Sequence, residues 1–262
     1  LTLAVHAARK AGQFIVEQTS RSGRIKDVAA RELVTESDRQ AERLIQDEIL
    51  NSRSGDGFLG EEFGYVEGES GYTWVVDPID GTTNYTHHLP EFCVSIAVLQ
   101  DGAPQIGVVF DPNRDMCYSA VRSEGAFCNN RPLHAIPSPL TPQTLFGFST
   151  RFIDRRPDHV LKVLDFCDEY RNLGSAALHL CYTAQNWLDG TFADSTRLWD
   201  VAAGGLILTE AGGGVLNFQG DPLFPLEDDI AAYTHQYVPM VATNGGPDTS
   251  MLRRLFSDGP IE

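Results

Sequence analysis

Residues 74–84 read Trp-Val-Val-Asp-Pro-Ile-Asp-Gly-Thr-Thr-Asn, and no other stretch constrains the fold as tightly. An apolar run stops at Asp77, and Pro78 removes the amide that would continue a strand ladder. Side chains at such a strand end open onto a cleft, where a ligand can meet them. Asp80 follows after a tight turn. Two carboxylates this close repel when both are ionised and unpaired. No Lys or Arg lies within the segment to relieve them, so a metal ion is the natural partner. Carboxylate and carbonyl oxygens suit hard cations such as Mg²⁺, Mn²⁺ or Ca²⁺, with the Ile79 carbonyl as a third oxygen. Gly81-Thr82-Thr83-Asn84 then supplies a helix start, whose amides are matched to phosphate oxygens. Acids for a metal beside amides for a phosphate point to metal-assisted phosphoryl chemistry. The competing reading is an acidic turn ahead of a capped helix.

The rest of the chain must bury that strand. It has 262 residues and is 42% hydrophobic, enough for one large domain or two small ones. A formal charge of −16 argues against nucleic acid or an anionic membrane as the main partner, since both are bound through Lys and Arg. No apolar run is long enough to span a bilayer, and no signal-peptide pattern opens the sequence. Five scattered cysteines without a CxxC pair suggest reduced, buried thiols and a cytoplasmic setting.

Hydrophobic periodicity predicts a helix over 3–18 and a second over TESDRQAERLIQDEIL, opened by Thr35 or Ser37. Residues 19–34, with four basic side chains, read as a mobile loop or hairpin. Strands are expected at 58–60, 72–76, 92–99, 105–110 and 116–121, the later ones forming an antiparallel meander through the turns DGAP and DPNRD. Further strands are expected near 144–149, 189–193 and 239–243. Helices are expected over 157–170, 175–187, LWDVAAGGLILTEAGG and 247–256. Alternating runs of strands and helices place the chain among layered α and β folds.

Several motifs in one order make the pattern specific. WVVDPIDGTTNY resembles the first signature of the inositol monophosphatase family, and LWDVAAGGLILTEAGG resembles the second. LVTESD at 33–38, LGEEFG at 59–64, GAFCNNRPL at 125–133 and GSAA at 174–177 match in order. The resemblance implies a single catalytic domain over 1–262 with an αβαβα sandwich, divisible near 145–150 into a metal-binding half and a substrate half. It implies a Mg²⁺-dependent, lithium-sensitive phosphomonoesterase that binds two to three ions, Mn²⁺ substituting, and forms a homodimer. Carried over by position, Glu61, Asp77 and the Ile79 carbonyl hold the first ion, and Asp77, Asp80 and Asp200 the second. Thr82 and Asp38 match the pair that orients and deprotonates the attacking water, and the Gly81 and Thr82 amides match the phosphate cradle. Lys26 matches a lysine of a mobile loop, one residue further from Asp38 than usual. A solvated surface lysine is the alternative.

Ser175, Ala176, Asp80 and Asp200 are expected on the side of the alcohol being released. Relatives that hydrolyse inositol phosphates carry an acid seven residues before the second-signature aspartate. Here Ala193 stands at that position and Asp194 follows it. Either Asp194 takes that role or the pocket differs. His87 is expected to make a structural hydrogen bond, His88 to be exposed, and Cys181 and Met116 to pack. The reading is hydrolysis of inositol monophosphate to inositol and phosphate. Histidinol phosphate and fructose 1,6-bisphosphate are the rival substrates, with Arg197 a candidate for a second phosphate. A regulatory partnership with RNA or transcription machinery is the alternative of another class.

Overall fold

The computed structural model describes residues 1–21, 28–138, 141–149 and 168–245; for 20, 21 and 28–35 it describes the backbone alone. Two long helices, α1 (Thr2–Arg21) and α2 (Val28–Ser52), precede an eight-stranded sheet. Its strands are β1 (Gly57–Gly60), β2 (Gly64–Val66), β3 (Tyr72–Asp80), β4 (Cys93–Gln100), β5 (Ala103–Asp111), β6 (Met116–Val121), β7 (Gly125–Cys128) and β8 (Arg131–Pro132). The spatial order is β2-β1-β3-β4-β5-β6-β7-β8. From β3 onward every neighbour is antiparallel, as the turn residues predict, while β1 pairs parallel to β3. A short helix, α3 (Thr82–Thr86), follows β3.

The second sheet is built from β9 (Leu145–Ser149), β10 (Glu169–Arg171), β11 (Gly190–Ala193), β12 (Gly214–Leu216) and β13 (Met240–Thr243), in the order β10-β9-β11-β13-β12. Helices α4 (Ala176–Ala184) and α5 (Leu198–Glu210) lie between the two sheets. Both faces of the large sheet are therefore covered, which is why β3 is buried almost without interruption instead of alternating. Trp74, Val76, Ile96 and Val98 pack toward Ala4, Ala8, Ile15, Ala41, Ile45 and Ile49 of α1 and α2. Val75, Ala97, Val109 and Tyr118 pack toward Leu178, Val201, Ala202 and Ile207 of α4 and α5.

Small residues allow α5 to sit this close. A Cβ on Gly107 of β5 would lie 2.6 Å from the Ala203 carbonyl, and one on Gly204 would lie 2.9 Å from Leu180 Cβ. The helix stops where the glycine run predicts. Gly212 takes φ +103, Gly212 N donates to Thr209 O and Gly213 N to Leu208 O, the bond pair of a Schellman cap.

The described residues build four layers, αβαβ, of the expected sandwich. The helices expected over 157–170 and 247–256 lie outside the described residues, except that 169–170 belong to β10. Several boundaries differ from expectation: β3 runs on through Pro78 to Asp80 instead of ending at 76, α1 runs to Arg21 instead of 18, and the helix expected over 175–187 ends at Ala184. Helix α2 begins at Val28, so neither Thr35 nor Ser37 caps it. The expected loop over 19–34 shrinks accordingly, because Ala29, Ala30, Arg31, Glu32 and Leu33 are strong helix formers.

Candidate metal centre

Asp77 and Asp80 reach one site because β3 is irregular. Side chains alternate along a strand, so residues three apart face opposite ways. The β3–β4 register shifts between Asp77, opposite Ser95, and Asp80, opposite Cys93. Asp77 Oδ1 accepts the Ile79 amide at 2.9 Å, which tightens the turn over Pro78. The bulge sends the Ile79 side chain into the core against α1 and α2 and returns Asp80 to the side of Asp77. Asp200 arrives from the first turn of α5, where Oδ2 accepts the Arg197 amide at 2.8 Å as the acidic half of a capping box. Ligand oxygens of Asp77, Asp80 and Asp200 all lie within 4.8 Å of one another.

Glu61 joins them from the end of β1. It is open to solvent, yet its carboxyl is crowded, as befits a cleft wall: burial, then the charge of Asp38, push it up to about 7. The same pattern runs through the group. Burial, followed by Glu61, Asp80 and Asp200, raises Asp77 well above the carboxylate range. Burial followed by Asp80 does the same to Asp200. Asp80 is pushed only to about 6, because hydrogen bonds from Ser175 and the Ala177 and Ala176 amides offset its burial. Asp38, on the buried stripe of α2, is pushed to about 8 by burial and by Glu62 and Glu42. Asp77, Asp80 and Asp200, with the charges of Glu61 and Asp38 beside them, form an oxygen-rich cluster that could hold a cation. The donor set fits a hard divalent ion and not one that seeks sulfur or imidazole.

Other expected site residues take definite places. Gly81 adopts φ +101, and a Cβ there would stand 2.8 Å from the Glu91 carbonyl, so only glycine fits the step from β3 to α3. The first bond of α3 runs from Tyr85 N to Gly81 O, so the amides ahead of it are outside the helical ladder. Thr82 Oγ1 donates to the Ile79 carbonyl at 3.0 Å, and not to Asp38. Asp38 Oδ1 is buried and has no hydrogen-bond partner among the described residues. Ser175 and Ala176, expected against the alcohol, are buried instead. Ser175 Oγ donates to Asp80 Oδ2 at 2.6 Å and accepts the Leu178 amide at 3.2 Å, so it both holds Asp80 and caps α4. Asp194 is half-buried just past β11, while Ala193 is fully buried within that strand. Arg197 stacks on Tyr237, 4.1 Å from ring centroid, and donates to the His235 carbonyl. Lys26 lies outside the described residues.

Of the two histidines, His87 makes the expected hydrogen bond, though from an exposed position, and His88 is not exposed as expected. His87 is exposed, with Nδ1 2.8 Å from the Thr83 carbonyl. His88 is half-buried at φ +57, with Nε2 enclosed and unpaired among the described residues. Turning the chain out of α3 at a left-handed residue directs His88 inward, and residue type alone does not show that.

Sequence grounds alone assign no role to three contributors, although Asn84 lies within the first signature. His179 is fully buried, and burial lowers it to about 4, so its ring is neutral. Nε2 accepts the Leu173 amide at 3.1 Å, leaving Nδ1–H to donate to Ser149 Oγ at 3.2 Å. This fixes the turn leading to Ser175. Asn84 Nδ2 donates to Glu91 O at 2.7 Å and Leu173 O at 2.6 Å, tying α3 to that same turn. Glu42 accepts the amides of Glu62 and Phe63 beside Glu61. Its one signal in the sequence is its place four residues after Asp38, on the face that also buries Ala41, Ile45 and Ile49. A cavity of about 570 Å³ lies elsewhere, against Leu206, Val215, Leu216 and Phe224, and none of the five acids lines it.

Comparison with known proteins agrees with the fold. The sequence model of the inositol monophosphatase family matches residues 1–244. A protein of Pasteurella multocida named Nus factor SuhB is 38% identical over 228 residues, covering 84% of this chain and 85% of its own length. An inositol-1-monophosphatase of Mesorhizobium japonicum is 37% identical over 231 residues, covering 84% and 86%. The solved structure of an inositol monophosphatase from an Anabaena (Nostoc) species superposes with a TM-score of 0.81 at 30% identity, covering 99% of this chain and 96% of its own.

Proposed function

The chain belongs to the inositol monophosphatase family, and from that premise we propose that it is a Mg²⁺-dependent phosphomonoesterase releasing phosphate from an inositol monophosphate. The observation that carries the reading is the convergence of Asp77 and Asp80 of β3 with Asp200 of α5, with Glu61 at their edge. Those residues and the Ile79 carbonyl would hold the ions. When bound, such ions offset the charge of a phosphate dianion and acidify a water for attack on phosphorus.

The protein's own groups do the rest. The amides of Gly81 and Thr82 hold the phosphate oxygens at the start of α3. The Thr82 hydroxyl is turned toward the Ile79 carbonyl, so its lone pairs are free to accept a hydrogen bond from the incoming water. Asp38 would take the proton that Thr82 passes on once that hydroxyl turns from the Ile79 carbonyl toward it: its Oδ1 is unpaired among the described residues, and it accepts only while ionised. Ser175 and the Ala177 amide keep Asp80 aimed inward, the latter bond being 2.7 Å. Asp194 is the nearest acid to the position expected to bind substrate hydroxyls. A homodimer is proposed with it, supported by the exposed edge strand β10 and by Tyr170 and Trp187, each 48% exposed.

The test is phosphate release from inositol 1-phosphate, histidinol phosphate and fructose 1,6-bisphosphate, with Mg²⁺ or EDTA. The highest kcat/KM is expected on inositol 1-phosphate, abolished by EDTA and by Asp200→Asn. Turnover indifferent to EDTA would remove the metal from the account. Relatives named Nus factor SuhB favour a second reading, a regulatory role in transcription. It takes precedence if none of the three esters is hydrolysed in Mg²⁺.

A further inference from the structure

We propose that Glu42, which is not among the metal ligands, is a positioning residue that holds Glu61 against the repulsion of its acidic neighbours. Glu42 lies on α2 one turn beyond Asp38 and is fully buried. A buried carboxylate must be well bonded to be tolerated, and this one spends both oxygens on a single loop. Oε2 accepts the Glu62 amide and Oε1 the Phe63 amide, each at 2.9 Å. The Glu61 amide itself donates to Val76 O of β3 at 3.3 Å. Three consecutive amides are thus pinned, one to the strand that carries Asp77 and two to Glu42.

Gly60 completes the fit. A Cβ there would lie 2.0 Å from Glu42 Oε1, so the loop passes directly over the carboxylate and leaves no room for a side chain. Glu61 needs such an anchor. Asp38, Glu62 and Asp80 stand near enough for their charges to repel it, and that repulsion drives an ionised Glu61 out toward solvent, to which it is open. Pinned backbone on both sides of its Cα limits that escape.

The inference rests on the proposed metal centre and is tested apart from it. Mg²⁺ uptake by the metal-free full chain is followed calorimetrically, with phosphate release measured in parallel. Glu42→Gln keeps the volume but offers one acceptor and turns an NH₂ toward an amide N–H, so one anchor is lost. It is expected to weaken Mg²⁺ binding roughly tenfold, the lower range for partners that orient a ligand. It should also raise the Mg²⁺ needed for half-maximal turnover, with kcat at saturating Mg²⁺ within about twofold. A role confined to folding would lower thermal stability and leave Mg²⁺ affinity unmoved, and that result overturns the proposal. Hydrogen exchange on the unaltered protein is the check independent of any variant: the Glu62 and Phe63 amides should be protected, and exchange as fast as at an open loop overturns it too. An unaltered chain that takes up no Mg²⁺ defeats the metal centre itself, which is a different failure.

Discussion

Replacing Ser175 by alanine separates two roles that its position allows. As a substrate contact, its hydroxyl would affect KM for the ester and little else. The structure instead buries it and bonds it to Asp80 Oδ2 at 2.6 Å, to the Leu178 amide at 3.2 Å and to Cys93 Sγ at 3.6 Å. Losing a helix N-cap costs about 1 kcal/mol, and losing a hydrogen bond to a charged group costs about 1.5–3 kcal/mol. Asp80 keeps its bond from the Ala177 amide, so the sum falls toward the lower end, about 2.5–3 kcal/mol. Denaturant unfolding in Mg²⁺ reads that loss, and calorimetry should show Mg²⁺ bound roughly tenfold more weakly as Asp80 gains freedom to turn. KM for inositol 1-phosphate at saturating Mg²⁺ should be unchanged. A raised KM with unaltered stability and Mg²⁺ affinity would show that Ser175 touches substrate and would refute the reasoning.

Three further outcomes follow from the same geometry. Asp200→Asn should lower kcat/KM by roughly a hundredfold or more, since several kcal/mol of charge stabilisation depend on the ions it helps hold. In EDTA it should raise the unfolding midpoint, because one repelling carboxylate is gone; a lower midpoint contradicts the crowding inferred here. Metal-free stability should fall as pH rises from about 4 to about 8. Asp38 and Glu61 have folded pKa values of about 8 and about 7, above their unfolded values, so the native state binds more protons across that window and loses stability as they leave. Thermal scans in EDTA at pH 5 and 8 read the slope, Mg²⁺ should stabilise more at pH 8, and a metal-free midpoint that rises with pH contradicts the account. Gly81→Ala should cost about 1–3 kcal/mol for its left-handed backbone, and more for the contact with Glu91 O, with loss of phosphate release; an unchanged midpoint would show that α3 can shift to admit the methyl group.

What was legible in the sequence was whatever depends on pattern. The apolar run into Asp77 marks β3, the turns DGAP and DPNRD mark the meander, and the glycines after Ala211 mark the end of α5. The acids of the centre were legible because few arrangements place two carboxylates around one proline, and because the second signature supplies Asp200. What escaped depends on three-dimensional neighbours. The β3 bulge that aligns Asp80 with Asp77 is set by pairing with β4, and one strand read alone cannot show it. Ser175 matches a motif expected near substrate, yet its direction is set by Asp80, 95 positions away. Glu42 and His179 look like ordinary helical residues until the loops they hold are seen. The inward turn of His88 and the early start of α2 escape for a related reason, since local polarity reads as exposure or loop whether or not the fold buries it.

The central claim is that Asp77, Asp80 and Asp200 enclose a divalent cation. Anomalous diffraction from a crystal soaked in Mn²⁺ tests it most directly. A peak is expected at coordinating distance from all three carboxylates, with Glu61 at its edge. Strong peaks elsewhere and none among these acids would contradict it.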